Sequence, residues 1–201
     1  MNSKAVFLDR DGVLNRLVWN PATGAYESPH TAADLDVFPF VPAALRQLSE
    51  TGYHLFLVSN QPSYAKGKTT LENILAAHAK LDLYLKANAV RFTEYYYCYH
   101  HPAGVVPAYT RACRCRKPSP FFLVQAQQKY CLDTARSWMV GDQDSDIFCG
   151  RSAGTKTMLI EEEKSASKRG GSSPDHRAPN LKKAVEIILA VDKEDLVQVG
   201  F

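Results

Sequence analysis

The sequence predicts an α/β fold, a central parallel sheet covered by helices on both faces, and three observations carry that reading. Short, wholly apolar runs stopped by polar residues recur along the chain, as in strands buried on both sides. Between them lie stretches with apolar residues at helical spacing. Asp9, Ser59 and Asp142 each stand at the C-terminal end of such a run, where an open parallel sheet places its ligand crevice.

The first strand is expected at Ala5 to Leu8, ending in Asp9, Arg10, Asp11 and Gly12. Val41, Ala44, Leu45 and Leu48 fall on one helix face, with Gly52 as the stop. His54 to Ser59 is the second strand, followed by Asn60, Gln61 and Pro62. Ile74, Ala77, Leu81 and Leu85 repeat the helical pattern, with Thr69 or Thr70 as N-cap. A third strand, Glu94 to Tyr97, runs into a cysteine cluster. Ser119 as N-cap and Pro120 at the first helical position open a helix to about Tyr130. Trp138 to Val140 and Thr157 to Ile160 complete the strands, around a short helix at 144–153 closed by Gly154. Leu181 to Ala190 gives the last helix. The stretch from Glu161 to Asn180, rich in Glu, Lys, Ser, Gly and Pro, reads as a flexible surface loop and is assigned no chemistry.

The length, 201 residues, suits a single domain over 1–201. Hydrophobic residues are 45% and charged residues 22%, which excludes wholesale disorder. No apolar stretch is long enough to span a bilayer, and the start has too short an apolar run for a secretory signal. A net charge of +3, from 24 basic and 21 acidic residues, argues against nucleic acid or membrane as partner. A soluble, cytoplasmic protein is expected, monomeric or weakly self-associating, working on a small molecule.

Asp9 and Asp11 are two apart just beyond a strand, so an extended backbone aims both carboxylates into the crevice. One carboxylate can attack phosphorus, and the other can protonate the leaving oxygen and then activate water. The plain alternative is a surface turn. Ser59, with turn amides after it, can bind phosphate oxygens. Lys117, just before a helix, can neutralise a phosphate. Asp142, Asp144 and Asp146 are hard oxygen ligands suited to magnesium; read singly, they are also an acidic helix start favoured by the helix dipole.

The cysteines, five in all, lack a disulfide framework's even number and suggest reduced thiols. Cys98, His100, Cys113 and Cys115 form a Cys₃His set for a tetrahedral Zn²⁺ in a loop over about 98–115, with His101 able to replace His100. With four protein ligands the metal has no open position, so its part is structural. Cys115 stands two residues before Lys117, so zinc would order the loop presenting Arg116 and Lys117. Cys131 and Cys149 are expected to be small buried residues of helices.

These motifs, in this order over roughly residues 4 to 160, resemble the haloacid dehalogenase superfamily of aspartate-nucleophile phosphotransferases. The resemblance implies a Rossmann-like three-layer sandwich. It makes Asp9 the nucleophile, Asp11 the general acid and base, and Ser59 and Lys117 the phosphate clamp. Mg²⁺ would be held by Asp9, the backbone carbonyl of Asp11, and Asp142, with Asp146 in support. The intervals between motifs leave no room for a cap domain, so substrate selection falls to loops 16–30, 61–68 and 99–112.

The cysteine loop, with Asn60, Gln61, Gly67 and Lys68, is similar to that of the heptose 1,7-bisphosphate 7-phosphatases in the histidinol-phosphatase-like branch. That likeness implies a phosphatase of carbohydrate metabolism supplying heptose for lipopolysaccharide, with Asn60, Gln61, Arg116 and Lys117 contacting substrate. Val13 replaces the threonine usual there, Pro62 and Ser63 replace Ser-Gly, and 16–29 diverges. Histidinol-phosphate phosphatase is the nearest alternative. A nucleic-acid 3′-phosphatase and a non-catalytic binding module stand further off.

Overall fold

In the computed structural model, which describes residues 3–199, alternation along the strands sets the layers. The first strand, β1 (Lys4–Leu8), sends Ala5 and Phe7 into one core and Val6 and Leu8 into another. The chain continues through β2 (Val18–Asn20), β3 (Ala25–Glu27), α1 (Val41–Glu50), β4 (Tyr53–Asn60), α2 (Leu71–Ala87) and β5 (Glu94–Cys98). It ends with α3 (Phe121–Tyr130), β6 (Trp138–Gly141), α4 (Asp144–Ser152), β7 (Lys156–Ile160), β8 (His176–Ala178) and α5 (Leu181–Val199). Six strands form one sheet in the order β5-β4-β1-β6-β7-β8, and every neighbouring pair is parallel.

Val6, Leu55, Leu57 and Val140 pack with Leu45 and Leu48 of α1, Leu81 and Leu85 of α2, and Val185 and Ile188 of α5. Phe7, Phe56, Val58 and Met139 pack on the other face with Leu123 and Ala126 of α3 and Cys149 of α4. The three-layer α/β sandwich is thus the observed architecture. Helix ends follow local chemistry. Thr70 caps α2 by accepting from the Asn73 amide at 3.1 Å, while α1 carries Pro42 in its first turn and stops before Gly52 at φ +83°.

Several expectations need correction. Pro120, not Ser119, is the residue before α3, and the Ser119 hydroxyl donates instead to the Arg114 carbonyl at 2.5 Å. Cys131 is exposed at the left-handed residue that ends α3, whereas Cys149 is buried. The 161–180 stretch is no featureless loop. It carries a 3₁₀ turn at Glu163–Lys168 and the edge strand β8. Ser165 within it is fully buried, and its hydroxyl lies 3.3 Å from the Asp142 carbonyl. The β2–β3 hairpin leaves no periodic signal in the sequence, because its strands are three residues each and too short to show alternation. Among the described residues no helix is long and apolar enough to cross a membrane.

Candidate active site

From β1 the chain runs to β4 and β5 on one side, then crosses to β6 on the other. The strand order therefore reverses between β1 and β6, and the crevice opens at their C-terminal ends. Asp9 follows β1 and its amide donates to the Val140 carbonyl of β6 at 2.9 Å. Asp142 follows β6 directly. Asp9, Asp142 and Asp146 each offer an oxygen to a cluster whose ligand atoms lie within 4.8 Å of one another.

Lys117 is buried among them, with Nζ 3.0 Å from Asp9 Oδ1 and 2.6 Å from Asp146 Oδ1. It also donates to the Val58 carbonyl at 2.7 Å. Burial alone would favour neutral lysine, but Asp146 and Asp9 outweigh it and hold Lys117 charged above the ordinary range. Asp146 is pushed up to about 6 by burial and by Asp9, against the pull of Lys117.

Asp142 is different. It is wholly buried, and neither side-chain oxygen has a hydrogen-bond partner. Burial, then the nearby charges of Asp9 and Asp146, push its pKa well above the carboxylate range. Orphaned buried carboxylate oxygens are costly. Three clustered carboxylates, two of them on one lysine, suit a hard divalent cation with oxygen ligands.

Asp11 is held by a separate network. Arg10, fully buried, donates from Nε and Nη2 to its two carboxylate oxygens at 3.0 and 3.1 Å. Asn15 Nδ2 donates to Oδ1 at 2.9 Å and Gln61 Nε2 to Oδ2 at 2.7 Å. Burial would raise the Asp11 pKa, but Arg10 and the Asn15, Gln61 and Ser28 side chains lower it below the usual value.

Gln61 is therefore not placed to touch a substrate. It is buried, it also accepts from Arg10 Nη2 at 2.9 Å, and it donates to Ser59 Oγ at 3.0 Å. Asn60 brackets the Lys117 backbone, donating to its carbonyl and accepting from its amide, each at 3.1 Å. Asp144 turns away from the cluster and accepts the amides of Gly171 and Ser172 at 2.8 and 3.2 Å. It ties down the 170–172 segment and has no place among the carboxylates that face Lys117.

A cavity of about 310 Å³ opens over these groups, lined by Asp9, Asp11, Asn60, Lys66, Arg116 and Lys117 with Leu17, Ser28, Pro62, Gln143, Ser145 and Lys168. Loops 16–30 and 61–68 thus border it, but no side chain of 99–112 does. Lys168 comes from the stretch assigned no chemistry. Its signal was hidden in a run of Glu, Lys and Ser that reads equally as solvated surface.

Beside the cavity, the thiols of Cys98, Cys113 and Cys115 lie 3.3 to 3.5 Å apart. His100 Nδ1 is 3.5 Å from Cys115 Sγ and 4.0 Å from Cys98 Sγ. His101 is outside this cluster, accepting from the Ala103 amide at 3.1 Å. Three sulfurs and one imidazole nitrogen converging in this way match a tetrahedral zinc donor set.

Comparison with known proteins places the chain in a family. The HAD-hydrolase-like family model matches residues 114–184. D-glycero-beta-D-manno-heptose-1,7-bisphosphate 7-phosphatase of Yersinia pestis is 36% identical over 176 residues, covering 85% of this chain and 87% of that protein. The chain belongs to this family of HAD-like phosphatases. D-glycero-D-manno-heptose-1,7-bisphosphate 7-phosphatase of Chlorobaculum tepidum is 31% identical over 192 residues, covering 92% of this chain and 93% of that one. The family's fold recurs in the crystal structure of D,D-heptose 1,7-bisphosphate phosphatase from B. bronchiseptica, complexed with magnesium and phosphate. Its TM-score is 0.76 at 23% identity, over 93% of this chain and 98% of that one. A putative HAD-like phosphatase from Mesorhizobium loti aligns with a TM-score of 0.73 at 26% identity, over 93% and 88% of the two chains.

Proposed function

We propose that this protein is a magnesium-dependent phosphatase that removes the 7-phosphate of D-glycero-D-manno-heptose 1,7-bisphosphate through an aspartyl-phosphate on Asp9. The observation that carries the reading is the buried Asp142 carboxylate, without a donor, beside Asp9, whose own carboxylate meets the Lys117 ammonium. The named relatives supply the substrate.

Asp9 attacks phosphorus, a P–O bond forms to its carboxylate, and the ester P–O bond to the sugar oxygen breaks. Asp11 gives that oxygen a proton. In the second half it takes a proton from the water that opens the aspartyl-phosphate. The resting network holds Asp11 ionised, ready for the second half; a phosphate dianion entering beside it restores proton affinity for the first. Ser59 and Lys117 clamp the phosphate oxygens, and Arg116 faces the rest of the substrate. Asp9, the Asp11 carbonyl and Asp142 would hold magnesium, while Asp146 supports the site through Lys117. Bound there, the ion neutralises the repulsion between carboxylate nucleophile and phosphate.

Cys98, His100, Cys113 and Cys115 would hold a structural zinc, which would fix the loop that leads into Arg116 and Lys117. Cysteines arranged for a metal and not joined in disulfides accord with a cytoplasmic enzyme. The test is phosphate release with Mg²⁺ from heptose 1,7-bisphosphate, histidinol phosphate and a 3′-phosphorylated oligonucleotide in parallel. A preference for the heptose bisphosphate of about 100-fold in kcat/KM, ~2.7 kcal/mol, is expected. Equal, weak activity on all three would retain the phosphatase and discard this substrate.

A further inference from the structure

Arg10 uses its donors on more than Asp11 and Gln61. Its Nη1 lies 3.0 Å from His78 Nδ1, on the buried face of α2. The His78 ring stacks on Tyr97 with centroids 3.6 Å apart and planes 11° from parallel, and Tyr99 stands 6.0 Å away. Its other nitrogen, Nε2, is buried with no partner.

An arginine nitrogen only donates, so Nδ1 must accept and the ring proton resides on Nε2. Burial, then the Arg10 charge, lower the His78 pKa to about 3, so the ring is neutral and the acceptor is present throughout the working range. Elsewhere α2 presents Ile74, Ala77, Leu81 and Leu85 to the interior. A leucine at 78 would keep that pattern and spare the cost of an orphaned N–H. What histidine adds at this place is the Nδ1 acceptor.

We infer that His78 is a positioning residue for the acid–base step, holding the Arg10 guanidinium in the plane from which it grips both oxygens of Asp11. The geometry is a relay of contacts: His78 fixes one end of Arg10, Gln61 fixes another nitrogen at 2.9 Å, and the remaining edge faces Asp11. Without the acceptor, Nη1 is a buried cationic donor lacking a partner. The guanidinium then rotates to find one, and Asp11 loses its fixed orientation. Asp9 meets Arg10 at the backbone amide, which donates to Asp9 Oδ1 at 2.7 Å, and not at the guanidinium. Lys117 is anchored by Asp9, Asp146 and the Val58 carbonyl, so the nucleophile and the lysine of the clamp stay in place.

The inference rests on the proposed roles of Asp9 and Asp11, and leaving-group dependence separates the two. Expelling a sugar alkoxide needs a well-placed proton, whereas p-nitrophenolate leaves without one. His78→Leu and His78→Asn are assayed on heptose 1,7-bisphosphate and p-nitrophenyl phosphate, with thermal melting to check folding. Asparagine places Oδ1 where Nδ1 stood. The expected result for His78→Leu is a kcat loss at least about tenfold larger on the sugar phosphate than on the aryl phosphate, with KM changed far less. His78→Asn should recover the sugar-phosphate rate to within about threefold of native.

If the leucine variant does not fold, His78→Gln, whose acceptor falls at the Nε2 position, takes its place against asparagine. Equal losses on both substrates, no loss, or an asparagine variant as impaired as leucine would each overturn the inference. Asp9→Asn should abolish turnover of both phosphates. Activity retained in that variant would instead overturn the underlying reading, whatever His78 does.

Discussion

Gly12 and Asp142 compete for one volume: a Cβ on Gly12 would stand 2.3 Å from Asp142 Oδ2, and Gly12 itself sits at φ +81°. The motif glycine is therefore required twice, for its backbone conformation and for the carboxylate packed against it. Gly12→Ala should cost about 1–3 kcal/mol in stability and displace Asp142. Magnesium titrations followed by thermal shift should show weakened binding along with lost turnover. A variant with native magnesium affinity would mean that Asp142 does not hold the ion.

Lys117 is the one positive charge in direct contact with Asp9 and Asp146 among the described residues. Breaking a buried ion pair by deleting one partner costs about 3–5 kcal/mol, because the other charge is stranded. Lys117→Ala should lose stability on that scale in urea unfolding, and Lys117→Ala with Asp146→Ala should recover part of it. Activity should be absent in both. If the double variant were no more stable than the single, the two side chains would not be coupled in the way their 2.6 Å contact implies.

Asp142 and Asp146 also set a pH dependence for magnesium binding. Both have folded pKa values raised chiefly by burial, Asp146 to about 6. Such groups favour the folded state below their unfolded value, ~4, and that contribution is lost as pH rises through the folded value. His78, lowered to about 3, acts in the opposite sense below its unfolded pKa of ~6.5, but equally with and without the ion. The magnesium-induced rise in Tm of EDTA-treated protein should therefore be larger near pH ~7.5 than near pH ~5. An equal rise at the two pH values would show that these carboxylates do not gain from the cation.

The layers and the crevice were legible because the chemistry sits at the ends of apolar runs, and parallel strands bring those ends together. Asp9, Asp11, Ser59 and Asp142 could be located in this way, and Lys117 by its place just before a helix. Arg10 and Gln61 could not be placed so directly, since an arginine between two aspartates reads as solvated charge. Strand alternation held the missing signal: if Asp9 and Asp11 face the crevice, Arg10 points away from it, into the α2 side where His78 waits. The 161–180 stretch was opaque for a different reason. Its order comes from long-range ties, such as Asp175 accepting from the Thr157 amide at 2.8 Å and Arg169 donating to the Ile160 carbonyl at 3.0 Å, and these leave no periodic trace.

The cysteine cluster should affect substrate binding more than turnover. Lys117 has anchors independent of the metal: Asn60 grips its backbone on both sides, and Val58 and the two aspartates hold its ammonium. Among the described residues the Arg116 guanidinium has one hydrogen-bond partner, the His100 carbonyl, 3.5 Å from Nη1, and that carbonyl belongs to a proposed zinc ligand. Loss of the metal therefore frees Arg116 while Lys117 stays. Cys113→Ser should reduce zinc from about one ion per chain to near none by elemental analysis. KM for the bisphosphate should rise about tenfold, ~1.4 kcal/mol, with kcat within about threefold of native. A fall in kcat at constant KM would show instead that the cluster sets the nucleophile or its clamp, and unchanged kinetics in zinc-free protein would remove the metal from substrate recognition altogether.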